Sequence, residues 1–317
     1  MTGAGNGQLA VTAEMVARLL GEQCPELIGG RVLSSFRQGW DNTVFALGDD
    51  LLVRVPHHAI GGELALAEHR VLPGVAAVFA AAGVAVGAPV PVFVGMPSAA
   101  YPWRFSVVPW LPGTVAFDVP AQRRAEEARL LARALVALHR RGDAAAAPVN
   151  SYRTGHIGDR PPPDWVAARV AIEDAECDVA DLEAAWSRWA GAPAWGRDPV
   201  AIHADVHAGN VLIGPLALID WGDSTAGDPA VDLSAAWTVF EGDGTAAFVD
   251  EATRLGGYDA DTWARARAWA LRHAVLVAGG PDTALRRESP RVLRALLAYP
   301  PSRTTRSAQA LPFPAIA

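Results

Sequence analysis

The order of apolar and polar positions divides the chain into a front third with the two-residue period of strands and a remainder with the longer period of helices. Residues 32–37 and 43–47 read as alternating runs, separated by the glycine-containing turn Gln38-Gly39-Trp40-Asp41-Asn42. Asp49-Asp50 returns the chain into a third strand, residues 51–55, which stops at Pro56. Beyond Gly61-Gly62 the pattern predicts a helix over residues 63–71, a second, apolar helix over 74–82, and a strand over 90–95. One more strand, 104–108, runs into the connector Pro109-Trp110-Leu111-Pro112-Gly113.

Helical spacing then takes over. Residues 122–141 place Leu130, Leu131, Leu135 and Leu138 along one side and charges on the other. Residues 142–163, ending in three prolines, read as loop, and 165–189, 262–278 and 286–299 as helices. The tail, 301–317, lacks periodicity and is expected to be loose. No internal repeat is visible. The outline is a β-rich front lobe (residues 1–108), a hinge (109–113) and a helical rear lobe (114–300).

A length of 317 residues suits two domains or one bilobal unit, and 51% hydrophobic content supplies a core. The balance of 27 basic against 34 acidic side chains, −7 in all, argues against a nucleic-acid footprint and permits a cationic small ligand. Every basic residue is arginine. Without lysine there is no Walker A phosphate loop, no pyridoxal Schiff base and no lysine nucleophile. Two distant cysteines, Cys24 and Cys177, exclude a zinc ribbon, an iron–sulfur cluster and a disulfide scaffold, and fit a reducing cytoplasm. Residues 1–10 do not read as a secretion signal. Residues 71–103 carry no charge, yet their prolines and glycines favour a buried helix and strand over a membrane span.

The chemistry concentrates in Ile202-His203-Ala204-Asp205-Val206-His207-Ala208-Gly209-Asn210, followed by Ile219-Asp220-Trp221-Gly222-Asp223. Short apolar runs around Gly214-Pro215 predict a strand hairpin with Asn210 and Asp220 side by side at its mouth. An amide oxygen and a carboxylate so placed suit Mg²⁺, which fills the rest of its shell with phosphate and water. Asp205 is then in place to accept or orient the proton of an attacking hydroxyl. A second pattern, His203, Asp205 and His207 alternating along a strand, would suit zinc and hydrolysis.

The spacing His-x-Asp-x-x-x-x-Asn with Asp-x-Gly ten residues on is similar to the catalytic and metal loops of the protein-kinase-like fold. With Gly227-Asp228-Pro229-Ala230-Val231-Asp232, and with Gly39-Trp40-Asp41-Asn42, Arg54 and Glu68 in order ahead of it, the chain resembles the aminoglycoside phosphotransferase family of small-molecule kinases over roughly residues 30 to 300. The resemblance implies an α+β, bilobal fold, with a small antiparallel front sheet plus one helix and a larger helical rear lobe. It implies ATP, or GTP, with Mg²⁺ as cofactors and a small-molecule hydroxyl as acceptor. Carried over residue by residue, Asp205 is the catalytic aspartate, and Asn210 and Asp220 are the metal ligands. Arg54 meets the nucleotide phosphates and pairs with Glu68, for which Glu63 is an alternative. Gly39, Trp40, Asp41 and Asn42 cover the phosphates. Residues 106–111, Val108 and Trp110 among them, receive the base. His203, His207, Asp228 and Asp232 brace the catalytic loop.

Two positions depart from the family pattern. Ala204 stands where glycine is usual, which matters if the backbone there needs a positive φ. Arg54 stands where kinases usually carry lysine, and its planar fork also suits phosphate oxygens. The acceptor is expected to be aminoglycoside-like, with a macrolide or another hydroxylated metabolite as alternatives. Acids are dense over residues 164–183 and 241–261, which makes Asp174 and Glu241, with Asp223, candidates to meet it; each also suits a solvated face. Arg286, Arg287, Arg291 and Arg294 read as surface charge. A pseudoenzyme that binds nucleotide without transfer is a further reading, and no partner other than the small molecule is implied.

Overall fold

The computed structural model describes residues 8–141 and 150–298. The expected loose tail, the start of the 142–163 loop and the last expected helical residue, Tyr299, lie outside them. Helices α1 (Ala13–Gln23) and α2 (Pro25–Ile28) precede strands β1 (Leu33–Gln38), β2 (Asn42–Leu47) and β3 (Leu51–Pro56). Helix α3 (Ala59–Ala81) is followed by β4 (Phe93–Gly95) and β5 (Phe105–Pro109). Then come β6 (Thr114–Val115), α4 (Ala121–Arg124), α5 (Ala128–His139), α6 (Arg169–Asp174) and α7 (Val179–Ala190). Four short strands carry the polar motifs: β7 (Val200–Ile202), β8 (Val211–Ile213), β9 (Ala217–Leu218) and β10 (Thr225–Gly227). Helices α8 (Ala230–Leu233), α9 (Ala235–Thr238), α10 (Gly242–Gly256), α11 (Ala260–Ala278) and α12 (Thr283–Ala298) complete the chain.

The front strands form one antiparallel sheet in the order β1-β2-β3-β5-β4. The period of two sends Phe45, Leu47, Val53, Val55, Phe105 and Val107 to one side, where Val16, Leu19 and Leu20 of α1 cover them. Each such fully buried side chain is worth roughly 1.5–3 kcal/mol relative to exposure. The front lobe was expected to hold one helix, but α1 and α2 add to α3. Helix α1 starts where the Thr12 hydroxyl accepts the Met15 N–H.

The two helices expected over 63–71 and 74–82 are one. Pro73 lies inside α3. Its missing N–H and its ring clash cost about 3 kcal/mol, but Val71, Leu72, Val75 and Phe79, before and after it, are all buried in the rear core. The continuous burial outweighs the break. This helix is also long and apolar enough to cross a membrane by length and composition; here it lies against β3, β5 and α5. Conversely, the helix expected over 165–189 is broken. Glu176 adopts φ +55° and Asp178 caps α7 by accepting from Ala180 N–H. The 122–141 helix likewise divides into α4, a 3₁₀ turn at Ala125–Glu127 and α5.

The rear core surrounds α5, α7, α9 and α11, with Trp186, Trp189, Trp237 and Trp263 buried in it. Arg291 is not surface charge as expected: it is 9% exposed and donates to the Trp237, Thr238 and Phe240 carbonyls around the end of α9. Those are carbonyls a helix end leaves without intrahelical partners.

Candidate active site

The β8–β9 hairpin forms as the apolar spacing requires, and the Ile219 N–H donating to the Asn210 carbonyl (3.0 Å) extends it to its mouth. Asn210 is buried. Its Nδ2 lies 3.0 Å from the Asp205 carbonyl oxygen and 3.1 Å from Asp205 Oδ2. Because that carbonyl can only accept, the amide nitrogen faces it, and Asn210 Oδ1 is turned away from Asp205. Asp220 follows at φ +65°, a conformation aspartate tolerates better than most residues, with its side chain 51% exposed.

Opposite stands Arg54 on β3. Its Nη1 is 2.5 Å from Glu68 Oε1 on α3 and its Nη2 is 3.6 Å from Asp220 Oδ1. Burial works against the charges of both Arg54 and Glu68; each offsets this for the other, and Asp220 adds to the hold on Arg54. Glu68, not Glu63, is the partner. The Trp221 N–H points at the same Glu68 oxygen from 3.5 Å, so sheet, helix and the loop after β9 meet at one ion pair. Gly222 permits it: a Cβ there would come within 2.9 Å of Leu64 Cβ on α3.

The loop after β7 is held from beneath. Asp232, fully buried at the start of the helices after β10, accepts the His203 N–H (2.9 Å) and the Ala204 N–H (2.7 Å). Ala204 has φ +72°, the very conformation that favours glycine. His203 is also fully buried. Its Nε2 donates to the Ile219 carbonyl (3.1 Å) and its Nδ1 accepts the Asp205 N–H (3.3 Å). With both ring nitrogens engaged it is not a zinc ligand, and no group of three metal-binding side chains occurs among the described residues. Asp228 accepts the Ala230 N–H at the start of α8 and receives Arg265 Nε at 2.6 Å.

Asp205 Oδ1 meets Arg153 Nη2 at 2.6 Å, and Oδ2 has His207 Nε2 at 3.4 Å. Burial raises the carboxyl, but Arg153 and then His207 overcome it and hold Asp205 well below the usual carboxylate range. The turn 39–42 closes with Gly39 N–H on the Asn42 carbonyl (2.8 Å), and the Trp40 carbonyl accepts from His57 (2.8 Å) and His58 (3.1 Å). Gly61 lets this turn sit on the first turn of α3, where a Cβ would come within 2.6 Å of the Asp41 carbonyl oxygen. Burial and then the nearby Asp220 charge raise the Asp41 carboxyl. Val108 is buried in β5; Trp110 is 41% exposed and edge-on to Phe36, with its N–H on the Asp50 carbonyl (2.7 Å).

A family model described as the phosphotransferase enzyme family matches residues 32–269, some three quarters of the chain. The chain belongs to this family. Among solved structures, the GDP complex of aminoglycoside 2'-phosphotransferase-IIIa shares the fold at 18% identity and a TM-score of 0.63, over 91% of this chain and 99% of that one. A macrolide 2'-phosphotransferase from Brachybacterium faecium does so at 21% identity and a TM-score of 0.58, over 89% and 97%. The thiamine kinase of Shigella dysenteriae serotype 1 is 39% identical over 70 residues, 22% of this chain. That match spans 26% of the thiamine kinase.

Within this family member, the site also contains residues that no spacing revealed. Arg153 comes from the loop after α5, and His139 joins Asp232 (3.2 Å) to the Tyr258 hydroxyl (2.6 Å) beneath the loop after β7. His273 on α11 stacks on His207 at 5.0 Å. Of the acids considered for the acceptor, Asp223 is at the site, paired with Arg153 (2.6 Å). Asp174 is exposed at the end of α6, where its carbonyl accepts from Arg294, and Glu241 precedes α10 and receives Gln122.

Proposed function

We propose that this family member transfers the γ-phosphoryl group of ATP, or GTP, to a hydroxyl of a small molecule, with Asp205 as the catalytic aspartate. One observation carries the reading: contacts bring Arg54, Asp220, Asn210 and Asp205 into one neighbourhood, Arg54 reaching Asp220 from the front sheet while Asn210 ties Asp205 to the hairpin.

The donor set fits Mg²⁺. A carboxylate at Asp220 and an amide oxygen turned away from Asp205 are hard oxygen donors, few enough to leave room for phosphate and water. Bound there, the ion would neutralise charge on the phosphates. Arg54 contributes a permanent charge and a fork for phosphate oxygens, kept in place by Glu68. Asp205, ionised and aimed by Asn210 and the buried Asp232 contacts, accepts the proton of the attacking hydroxyl as its oxygen bonds to phosphorus and the bond to the diphosphate breaks. Orientation and charge placement supply the acceleration, so no covalent intermediate is needed.

The neighbours' acceptors, aminoglycosides and macrolides, are the first to assay, with ADP release as the readout. Asp205→Ala is expected to abolish transfer while sparing nucleotide binding, and Asp220→Ala to weaken binding of Mg²⁺–nucleotide. Retained turnover in Asp205→Ala, or an unchanged titration in Asp220→Ala, would refute the assignment.

A further inference from the structure

Asp205 and Asp223, one on each polar loop, share a single cation. Arg153 Nη2 is 2.6 Å from Asp205 Oδ1 and 2.6 Å from Asp223 Oδ2, and its Nε is 3.1 Å from the same Asp223 oxygen. Asn150 Nδ2 takes Asp223 Oδ1 at 2.7 Å. Asp205 Oδ2 faces Asn210 and His207. Beyond His207 lies His273, whose imidazole burial and then His207 lower to about 3, so it brings no charge at neutral pH.

The arginine is built in. The turn that carries it is tied to β10, where Asn150 N–H donates to the Thr225 hydroxyl (3.2 Å). It is closed on itself by Arg153 and Thr154 N–H groups donating to the Asn150 carbonyl. Arg160 Nη2 further holds the Ser151 carbonyl at 2.9 Å. The Arg153 side chain is 28% exposed, and driving it out would leave two partly buried carboxylates without the cation they share.

An acceptor hydroxyl that gives its proton to Asp205 docks beside Arg153. We infer that Arg153 is a specificity-determining residue: it holds, against Asp205 and Asp223, the place an ammonium group of a cationic acceptor would take. The acceptor is therefore a hydroxyl compound with no cationic group next to the reacting hydroxyl. This deepens the kinase reading and rests on it. Of the other acids a polycation was expected to find, Asp174 lies exposed at the end of α6 and Glu241 receives Gln122 ahead of α10, and neither is among the residues that contact Asp205 or Arg153. Exclusion by a like charge is a recognised route to specificity.

Calorimetric titration with kanamycin at low salt tests this, on protein with and without saturating Mg²⁺–ADP. The wild type is expected to bind more weakly than about 1 mM. Arg153→Ala is expected to bind at least about tenfold more tightly, and Arg153→Lys, which keeps the charge, to behave as wild type. Arg153→Gln replaces the alanine variant if that one fails to fold. Tight kanamycin binding by wild type, or no gain in the neutral variants, overturns the inference. Failure of the wild type to bind Mg²⁺–ADP overturns the kinase reading instead, and the nucleotide-free titration still decides the role of Arg153.

Discussion

At position 204 a methyl group stands in a left-handed backbone conformation, φ +72°, that disfavours any Cβ by roughly 1–2 kcal/mol. Burying that methyl returns only about 0.8 kcal/mol. Ala204→Gly is therefore expected to raise Tm slightly in thermal denaturation without displacing Asp205, since Asp232 holds the backbone N–H groups of 203 and 204 whatever the side chain. The individual residues most legible in the sequence were those in the polar loops: their roles depend on short spacings that the hairpin and its flanking turns preserve. His203, Asp232, Arg54 and Glu68 were singled out from the family order; in the fold Asp232 holds the His203 N–H and Glu68 pairs with Arg54. Arg153, His139 and Tyr258 were not legible, because their partners are distant in sequence: Asp223 lies 70 residues from Arg153, and Tyr258 119 from His139. A lone arginine in an irregular loop gives no local sign of what it faces.

Among elements, the front strands were readable because period-two alternation and glycine turns are local. Helix α1 was not expected, although Val16, Leu19 and Leu20 behind a Thr12 cap carry its pattern, and α10 was read only as an acidic run. One of those acids is buried: Glu251 binds Arg254 and Arg133, and these hydrogen bonds lower its carboxyl from 4.5 to about 2. A depressed acid stabilises the fold above its unfolded value and ceases to as pH falls. Wild-type Tm should thus fall between pH 4.5 and about 2 more steeply than that of Glu251→Gln, the curves converging at the acid end. Parallel curves would mean that the clamp between α5 and α10 is inert. Helix α3 meets the loop after β9 at Gly222. Gly222→Ala is expected to push the helix off the loop, lengthen the Glu68–Trp221 contact and weaken nucleotide affinity by about tenfold or more (~1.4 kcal/mol), with unchanged affinity as the contrary result.

At the scale of the whole molecule, a ligand gripped from both lobes stabilises the folded chain by mass action. Mg²⁺–ATP at 100 times its Kd is expected to add about 2.7 kcal/mol, seen as a rise in Tm that Asp220→Ala diminishes at the same concentration. Absence of any rise would separate the lobes functionally. Helix α3 sets how those lobes can move. Its first half bears Glu68 against Arg54 of the sheet, while Val71, Leu72, Val75 and Phe79 are embedded among the rear helices. A rod anchored in both bodies ties the tilt of one to that of the other. The β1–β2 turn is tied down as well, by the two histidines that hold the Trp40 carbonyl.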